Sequence, residues 1–336
     1  MHLVWVRRNR KMTKQIRMGS IFNTLLKEYT IVFGIMVLVI ITSIVEPRFM
    51  TSGNMVNIMR QFGPLILVAL GMTFVILAGF IDLSVTGQLF LVAVIVMKLI
   101  DPIGQIPAMF VGIAFGGLFG YFNSKVIIFS GALTQAEALF ITYGLSTAYI
   151  GIGQMISNGK TMNMSIDLTS SYSAFQYVGL GFIGPFSISF VIFLFAIFIL
   201  YFFQSKTYMG RSVMLTGGNK TAARIAGIPI YRSITIVYMI CGIMTAIGAI
   251  VFMSRATTVT SAMSIGLETD VILAVVLGGT YLGGGRGSVL RTIIGALIVI
   301  LISNCMNLLG ITIFWQDITR GAILIIAIWL DARKNN

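Results

Sequence analysis

Asp82, Glu268 and Asp270 stand within or beside long apolar runs, and they are the residues whose type and setting suit chemistry. A carboxylate at membrane depth is costly and by default marks a substrate or ion pathway. The same positions suit a plainer role, because Asp and Ser cap helix N-termini and acidic groups complement the helix dipole there. Asp82 and Ser84 therefore read either as pathway lining or as the cap of the span that follows. Glu268 and Asp270 open another span, Glu137 begins a further one, and Asp317 lies in the last. The single histidine, His2, gives no base for a Ser-His-Asp triad and no metal centre, so no catalytic or metal-ligating residue is expected. Cys241 and Cys305 sit inside apolar segments and read as small buried hydrophobes.

Two glycine-rich stretches and one loop complete the candidates. Gly159-Lys160-Thr161 resembles the end of a phosphate-binding loop, but Gln154 occupies the position of the required leading glycine, so the chain binds no ATP this way. The run from Gly278 to Ser288 does not spell the dinucleotide fingerprint, because Ser288 replaces its third glycine. It reads either as a broken helix with unwound backbone at membrane depth or as a tight turn anchored by Arg286 and Arg291. Leu77-Ala78-Gly79 resembles Leu277-Gly278-Gly279, a short echo of the kind an internal repeat leaves. Between Gly217 and Pro229 the sequence reads as one short helix, with Asn219 as N-cap, alanines inside, Gly227 as stop and Pro229 blocking continuation. Such a small-faced, basic helix suits either docking on a soluble partner or a solvated connector.

The elements that must carry these residues follow from composition. Of 336 residues 57% are hydrophobic and 10% charged, and the mean hydropathy is +0.97. Ten acidic residues cannot cover a water-facing surface, whereas soluble domains carry roughly 25% charged residues. The net charge of +13 is topological, not a nucleic-acid signal. Basic residues cluster before Thr30, between Lys206 and Arg232, and at Arg333-Lys334, which places all three on the cytoplasmic side. The first apolar run has no small-residue cleavage site and is expected to remain as a span. Spans are predicted near 30–45, 62–78, 84–100, 106–128, 136–156, 186–203, 233–254, 268–282, 288–308 and 312–330, ten in all, with eight also compatible with the parity. Residues 157–185 and 255–267 become outer loops. The organisation is a basic cytoplasmic N-terminus (1–29), one transmembrane domain (30–331) with a loop at 204–232, and a cytoplasmic tail (332–336).

Several pieces, in this order, resemble the permease subunit of ribose/xylose/arabinose-type ATP-binding-cassette importers. They are Asn54–Gln61, Ala69–Gly79, Ile81–Val85, Gly210-Arg211, Gly217–Asn219, Ala222–Arg224, Gly227-Ile228, Ala274–Thr280, Gly284–Val289, Asn307–Gly310 and Phe314–Gln316, spread over roughly residues 45–331. The resemblance implies an all-α, type II-like permease that pairs with a second copy or paralogue around one pathway. It also implies a cytoplasmic cassette ATPase, which binds the ATP, a periplasmic substrate-binding protein, and a place in the bacterial inner membrane, with no cofactor in the permease itself. The loop around Gly217, Gly218, Asn219, Ala222, Ala223, Arg224 and Gly227 matches the family's ATPase-contacting region. Asp82, Ser84, Glu268 and Asp270 remain the pathway candidates.

Two departures stand out. Thr86-Gly87 follows Val85 where the family has Gly-Ser, and Gly131–Glu137 replaces a Pro-Pro-Phe-Ile-type segment. A common sugar such as ribose is therefore not assumed; a modified sugar, a sugar alcohol or another small polyol fits as well. The rival readings are an ion-coupled secondary transporter using Asp82, Glu268 or Asp270, a membrane enzyme acting on lipid-linked substrates, and a permease for branched-chain amino acids.

Overall fold

Inside a bilayer every backbone N–H and C=O must be paired within its own segment, so long apolar runs become helices. The computed structural model describes residues 36–335, with side chains as far as Trp329. The basic run before Thr30, the first residues of the 30–45 span and Asn336 lie outside the described residues. The helices in chain order are α1 (Met36–Val45), α2 (Ser52–Leu77), α3 (Val85–Ile103), α4 (Gln105–Phe129), α5 (Gln135–Ser157), α6 (Met164–Asp167) and α7 (Ser173–Leu180). They continue as α8 (Ile188–Lys206), α9 (Tyr208–Gly218), α10 (Lys220–Ile225), α11 (Ile230–Ala256), α12 (Leu267–Leu277), α13 (Val289–Leu308) and α14 (Ile313–Asn335). Four two-residue strands occur, β1 (Met162–Asn163), β2 (Phe182–Ile183), β3 (Phe186–Ser187) and β4 (Thr258–Val259).

Among the described residues seven helices, α2, α3, α4, α5, α8, α11 and α13, are long and apolar enough to cross a membrane. Within the described residues each expected apolar segment is helical over most of its length, but the span predicted at 268–282 is not a full crossing. Helix α12 has 11 residues and stops at Leu277, about 16 Å of rise against a hydrocarbon core of roughly 30 Å. Gly278 and Gly279 end it, so the expectation overran the helix by five residues. Residues 332–335, expected as a tail, continue α14 instead.

The connections separate into two ends of the bundle. At one end the breaks after α2 and α12, the α4–α5 turn and the α8–α11 loop touch one another: Gly285 N–H donates to Leu77 O (2.9 Å), Lys220 Nζ to Leu133 O, and Gln135 Nε2 to Leu282 O. At the other end β1 pairs antiparallel with β4, with Met162 opposite Val259, and Asp101 accepts from the backbone of Thr169 and Ser170. Residues 157–185 and 255–267 thus share one end, and the 204–232 loop lies at the other.

Small residues let the helices meet. Gly112, Gly116 and Gly120 form a stripe along α4, and a Cβ at Gly116 or Gly120 would overlap the α11 backbone at Gly242 or Tyr238. Stripes of this spacing allow close helix approach where lipid supplies no hydrophobic drive. Helix α2 is almost wholly buried at the centre, while α4, α5 and α8 turn Phe110, Phe122, Phe140, Phe195 and Phe198 outward. Cys241 and Cys305 are free and fully buried.

Candidate functional site

Helix α2 ends at Ala78, where the chain unwinds through Gly79 (φ +81°) and runs to Ser84 before α3 begins. Four N–H groups at a helix start have no intrahelical partner, and at membrane depth no water supplies one. Asp82 and Ser84 were expected as caps, yet neither closes α3 in that way. Ser84 holds the N-cap position without a side-chain bond to the helix, and its hydroxyl donates to Asp82 Oδ1 (2.5 Å), which also accepts the Ser84 N–H (2.9 Å). The backbone is satisfied from α5: Thr142 Oγ1 accepts from Leu83 N (3.0 Å) and Ser146 Oγ from Gly87 N (3.1 Å). Thr142 and Ser146 are four apart and share one helix face, so they serve successive turns.

Asp82 is fully buried. Ser84 Oγ is the hub around it, accepting from Gln88 Nε2 and Asn123 Nδ2 (2.6 Å each), and Tyr149 OH extends the chain to Asn123 Oδ1 (2.6 Å). Asp82, Ser84, Gln88 and Asn123 are all fully buried, and Asp82 Oδ2 and Gln88 Oε1 have no hydrogen-bond partner. The departure at Thr86 lies next to it: Thr86 Oγ1 donates to Glu268 Oε2 (2.6 Å), which ties the start of α3 to the start of α12. The other departure resolves into a helix cap, since Thr134 and Glu137 form a reciprocal capping box on α5.

The second break repeats the logic with different residues. From Gly278 to Ser288 the chain turns, with Tyr281 N–H bonded to Arg286 O, and Arg286 is exposed. Helix α13 has no side-chain cap of its own; Gln204 of α8 accepts from Val289 N (3.0 Å) and donates to Gly287 O (3.1 Å). Both readings of this stretch hold, a half-length helix on one side and a tight turn beyond it. The echo between Leu77-Ala78-Gly79 and Leu277-Gly278-Gly279 is a shared helix ending, with Phe80 N bonded to Val75 O and Thr280 N to Val275 O. The same closure ends α4 at Gly131 and α10 at Gly227, so it is a generic C-cap and not the signature of a repeat.

Gly217 joins the two breaks to the loop. It stands near the end of α9 against the carbonyl of Leu77, where a methyl group would overlap the oxygen, and the backbones of Gly79, Gly284 and Gly285 close the same contact. Beyond it the expected short helix is α10, whose N-cap is Asn219 with Oδ1 accepting from Ala222 N (2.9 Å), while Gly217 and Gly218 belong to the end of α9. Gly227 and Pro229 stop α10 and open α11 as expected. Asn219, Ala222, Arg224 and Gly227 are exposed, whereas Ala223 is only 4% exposed and packs inward. Ile225, which sequence reasoning passed over, is 84% exposed and is the apolar centre of the free face. Lys220 points the other way, with Nζ 3.9 Å from the centre of the Phe80 ring and bonded to Leu133 O. Burial lowers the Lys220 pKa, partly offset by the Glu137 carboxylate.

Asp270 faces a different space. A cleft of about 200 Å³ near the opposite end lies between α2, α11, α12, α13 and α14, lined by Gln61, Arg255, Asp270, Asn307, Gln316 and Arg320 among others. Arg320 Nε is 3.3 Å from Asp270 Oδ1, and Arg320 also reaches Asp317 (3.3 Å) and Ser303 Oγ (3.2 Å). The four pathway candidates thus separate: Asp82 and Ser84 are together and buried, Glu268 is bound to Thr86, and Asp270 lines a cleft. Among the described residues no cluster of His, Cys, Asp or Glu is able to hold a metal ion.

Half-length and broken helices with their backbone paired by neighbouring side chains, set in a polytopic apolar bundle, define a membrane permease. The chain belongs to the family described as the branched-chain amino acid transport system permease component, whose model matches residues 54–328. It is 32% identical over 314 residues to the ribose import permease protein RbsC of Escherichia coli K12, covering 92% of this chain and 95% of that protein. It is 32% identical over 315 residues to the L-arabinose transport system permease protein AraH of the same strain, with 93% of each chain covered. The probable ABC transporter permease protein YphD, also of that strain, is 30% identical over 315 residues, 94% of this chain and 92% of its own. No solved structure matches the chain. It is the transmembrane permease subunit of an ATP-binding-cassette importer, a transport component embedded in the membrane.

Proposed function

We propose that this permease carries a monosaccharide or related small polyol across the bacterial inner membrane, as one half of a dimeric pathway with both termini cytoplasmic. A periplasmic binding protein delivers the substrate, and a cytoplasmic ATPase docks on the face of α10 formed by Asn219, Ala222, Arg224, Ile225 and Gly227. The relatives named for ribose and arabinose favour this substrate class over branched-chain amino acids. The observation that carries the coupling role is the seat of Gly217 on the Leu77 carbonyl. A movement imposed on α9 and α10 reaches the ends of α2 and α12 through backbone contact, and bistable packing of this kind transmits switches. Asp82 and Ser84 act in this reading as the joint of the first break.

The test is purification of the tagged permease in mild detergent, followed by uptake in vesicles. A cassette ATPase should co-elute with the wild type and be lost with Ile225→Glu. Gly217→Ala should keep the ATPase bound yet abolish most ATP-driven uptake. Recovery of the permease alone, with uptake that collapses when the ion gradient is removed, would turn the assignment to an ion-coupled transporter.

A further inference from the structure

The cleft beside Asp270 has more polar equipment than an intersubunit gap requires. Its walls include a carboxylate, two guanidiniums and three amides, facing a volume of about 200 Å³, below the roughly 300–1,000 Å³ of drug-sized sites. Asp270 and Arg320 form an ion pair at 3.3 Å, yet their side chains remain 18% and 19% exposed on the cleft wall. Arg255 forms no ion pair with an acidic residue among the described residues. Gln316 Nε2 is used internally, donating to Asn307 Oδ1 (2.8 Å) and Ile311 O (2.9 Å).

We propose that this cleft is a transit site for one small polyhydroxylated molecule, held between the Asp270 carboxylate and the guanidiniums of Arg255 and Arg320. The inference rests on the importer reading above and assigns part of the substrate selection to the permease itself. A hydroxyl donates and accepts at once, so a single one bonds to the exposed parts of both the Asp270 carboxylate and the Arg320 guanidinium. Planar carboxylate and guanidinium groups take adjacent hydroxyls in pairs. An apolar molecule in the same place would meet none of these polar groups, so recognition here is of hydroxyl-bearing molecules. A cationic substrate would face two arginines against one carboxylate.

The experiment is a labelling test on the full permease in detergent, independent of the ATPase and the binding protein. Asn307→Cys places an accessible thiol on the cleft wall, while Cys241 and Cys305 are buried and give little background. D-ribose, L-arabinose and xylitol are the probes, with tert-butanol as an apolar control. The polyols should slow maleimide labelling and tert-butanol should not. The polyol concentration that halves the rate should rise about tenfold on adding Asp270→Asn or Arg255→Gln, the ratio for one lost charge-assisted hydrogen bond. Equal labelling with and without polyols, protection unchanged in both variants, or equal protection by tert-butanol would overturn the proposal. ATP-driven uptake by the wild-type complex checks the importer reading separately, so the two failures are distinguishable.

Discussion

Asn54 and Asn304 exchange both of their amide hydrogen bonds, Asn54 Nδ2 to Asn304 Oδ1 at 3.0 Å and Asn304 Nδ2 to Asn54 Oδ1 at 2.8 Å, across 250 positions of sequence. The pair is buried and fixes the start of α2 to the last turns of α13. Helix α2 runs into the first break and α13 runs out of the second, so the pair sets the spacing of the two discontinuous elements at the far end from the loop.

Asn304→Ala should therefore lower the melting temperature of the purified permease, since an orphaned buried amide costs about 1–3 kcal/mol. The double variant Asn54→Ala/Asn304→Ala should cost clearly less than the sum of the singles, because the second deletion removes the group the first left unpaired. Additive losses would show that the two amides act independently.

The free face of α10 separates two substitutions that the sequence alone makes equivalent. Ile225→Glu adds charge to an 84% exposed position, so folding and melting temperature should hold while ATPase capture is lost. Ala223→Glu forces a carboxylate into packed surroundings and should reduce the yield of folded protein. Size-exclusion profiles measured beside co-purification discriminate between the two effects.

Ser84→Ala removes the hub that accepts from Gln88 and Asn123 and donates to Asp82, leaving three buried polar groups short of a partner. A loss of about 2 kcal/mol or more is expected, read as a lower melting temperature. Asp82→Asn keeps an oxygen able to accept from the Ser84 N–H and hydroxyl and should fold. If Asp82→Asn also transports normally, the residue is the joint of the break; if it folds but transports nothing, its charge is needed in the cycle.

Burial lowers the Lys220 pKa, so the folded protein binds this proton less tightly than the unfolded chain does. On this group's account stability rises as pH climbs through the folded value toward the ordinary lysine value of about 10.4. Lys220→Met should flatten that alkaline rise in a melting series, and it should weaken the hold of α10 on Phe80 and Leu133. An unchanged alkaline profile would assign the rise to other groups.

The apolar helices and the grouping of their loops at two ends of the bundle were legible because hydropathy and charge bias operate segment by segment. Asn219, Gly227 and Pro229 were legible for the same reason, as caps and stops act within a few residues. The length of α12 was not, since the apolar run continues through Thr280-Tyr281-Leu282 while the glycines at 278 and 279 end the helix. Nor were the partners of the broken ends: Thr142, Ser146 and Gln204 are ordinary polar residues of other spans, identified only when α5 and α8 lie beside the breaks. The glycine stripe at 112, 116 and 120 was a readable signal that hydropathy windows average away. Arg255 and Arg320 carried no local signal, because the cleft that gives them a shared purpose is assembled from five separate helices.

The meeting of Gly217 with Leu77, Gly284 and Gly285 has a mechanical meaning. Side chains between two moving parts act as padding, changing rotamer and absorbing a displacement of an ångström or so before anything further along responds. At this joint the padding has been removed, and main chain bears on main chain. A linkage of this kind has no slack to take up. Enlarging Gly217, Gly284 or Gly285 would force the meeting main chains apart, because the added methyl overlaps backbone atoms.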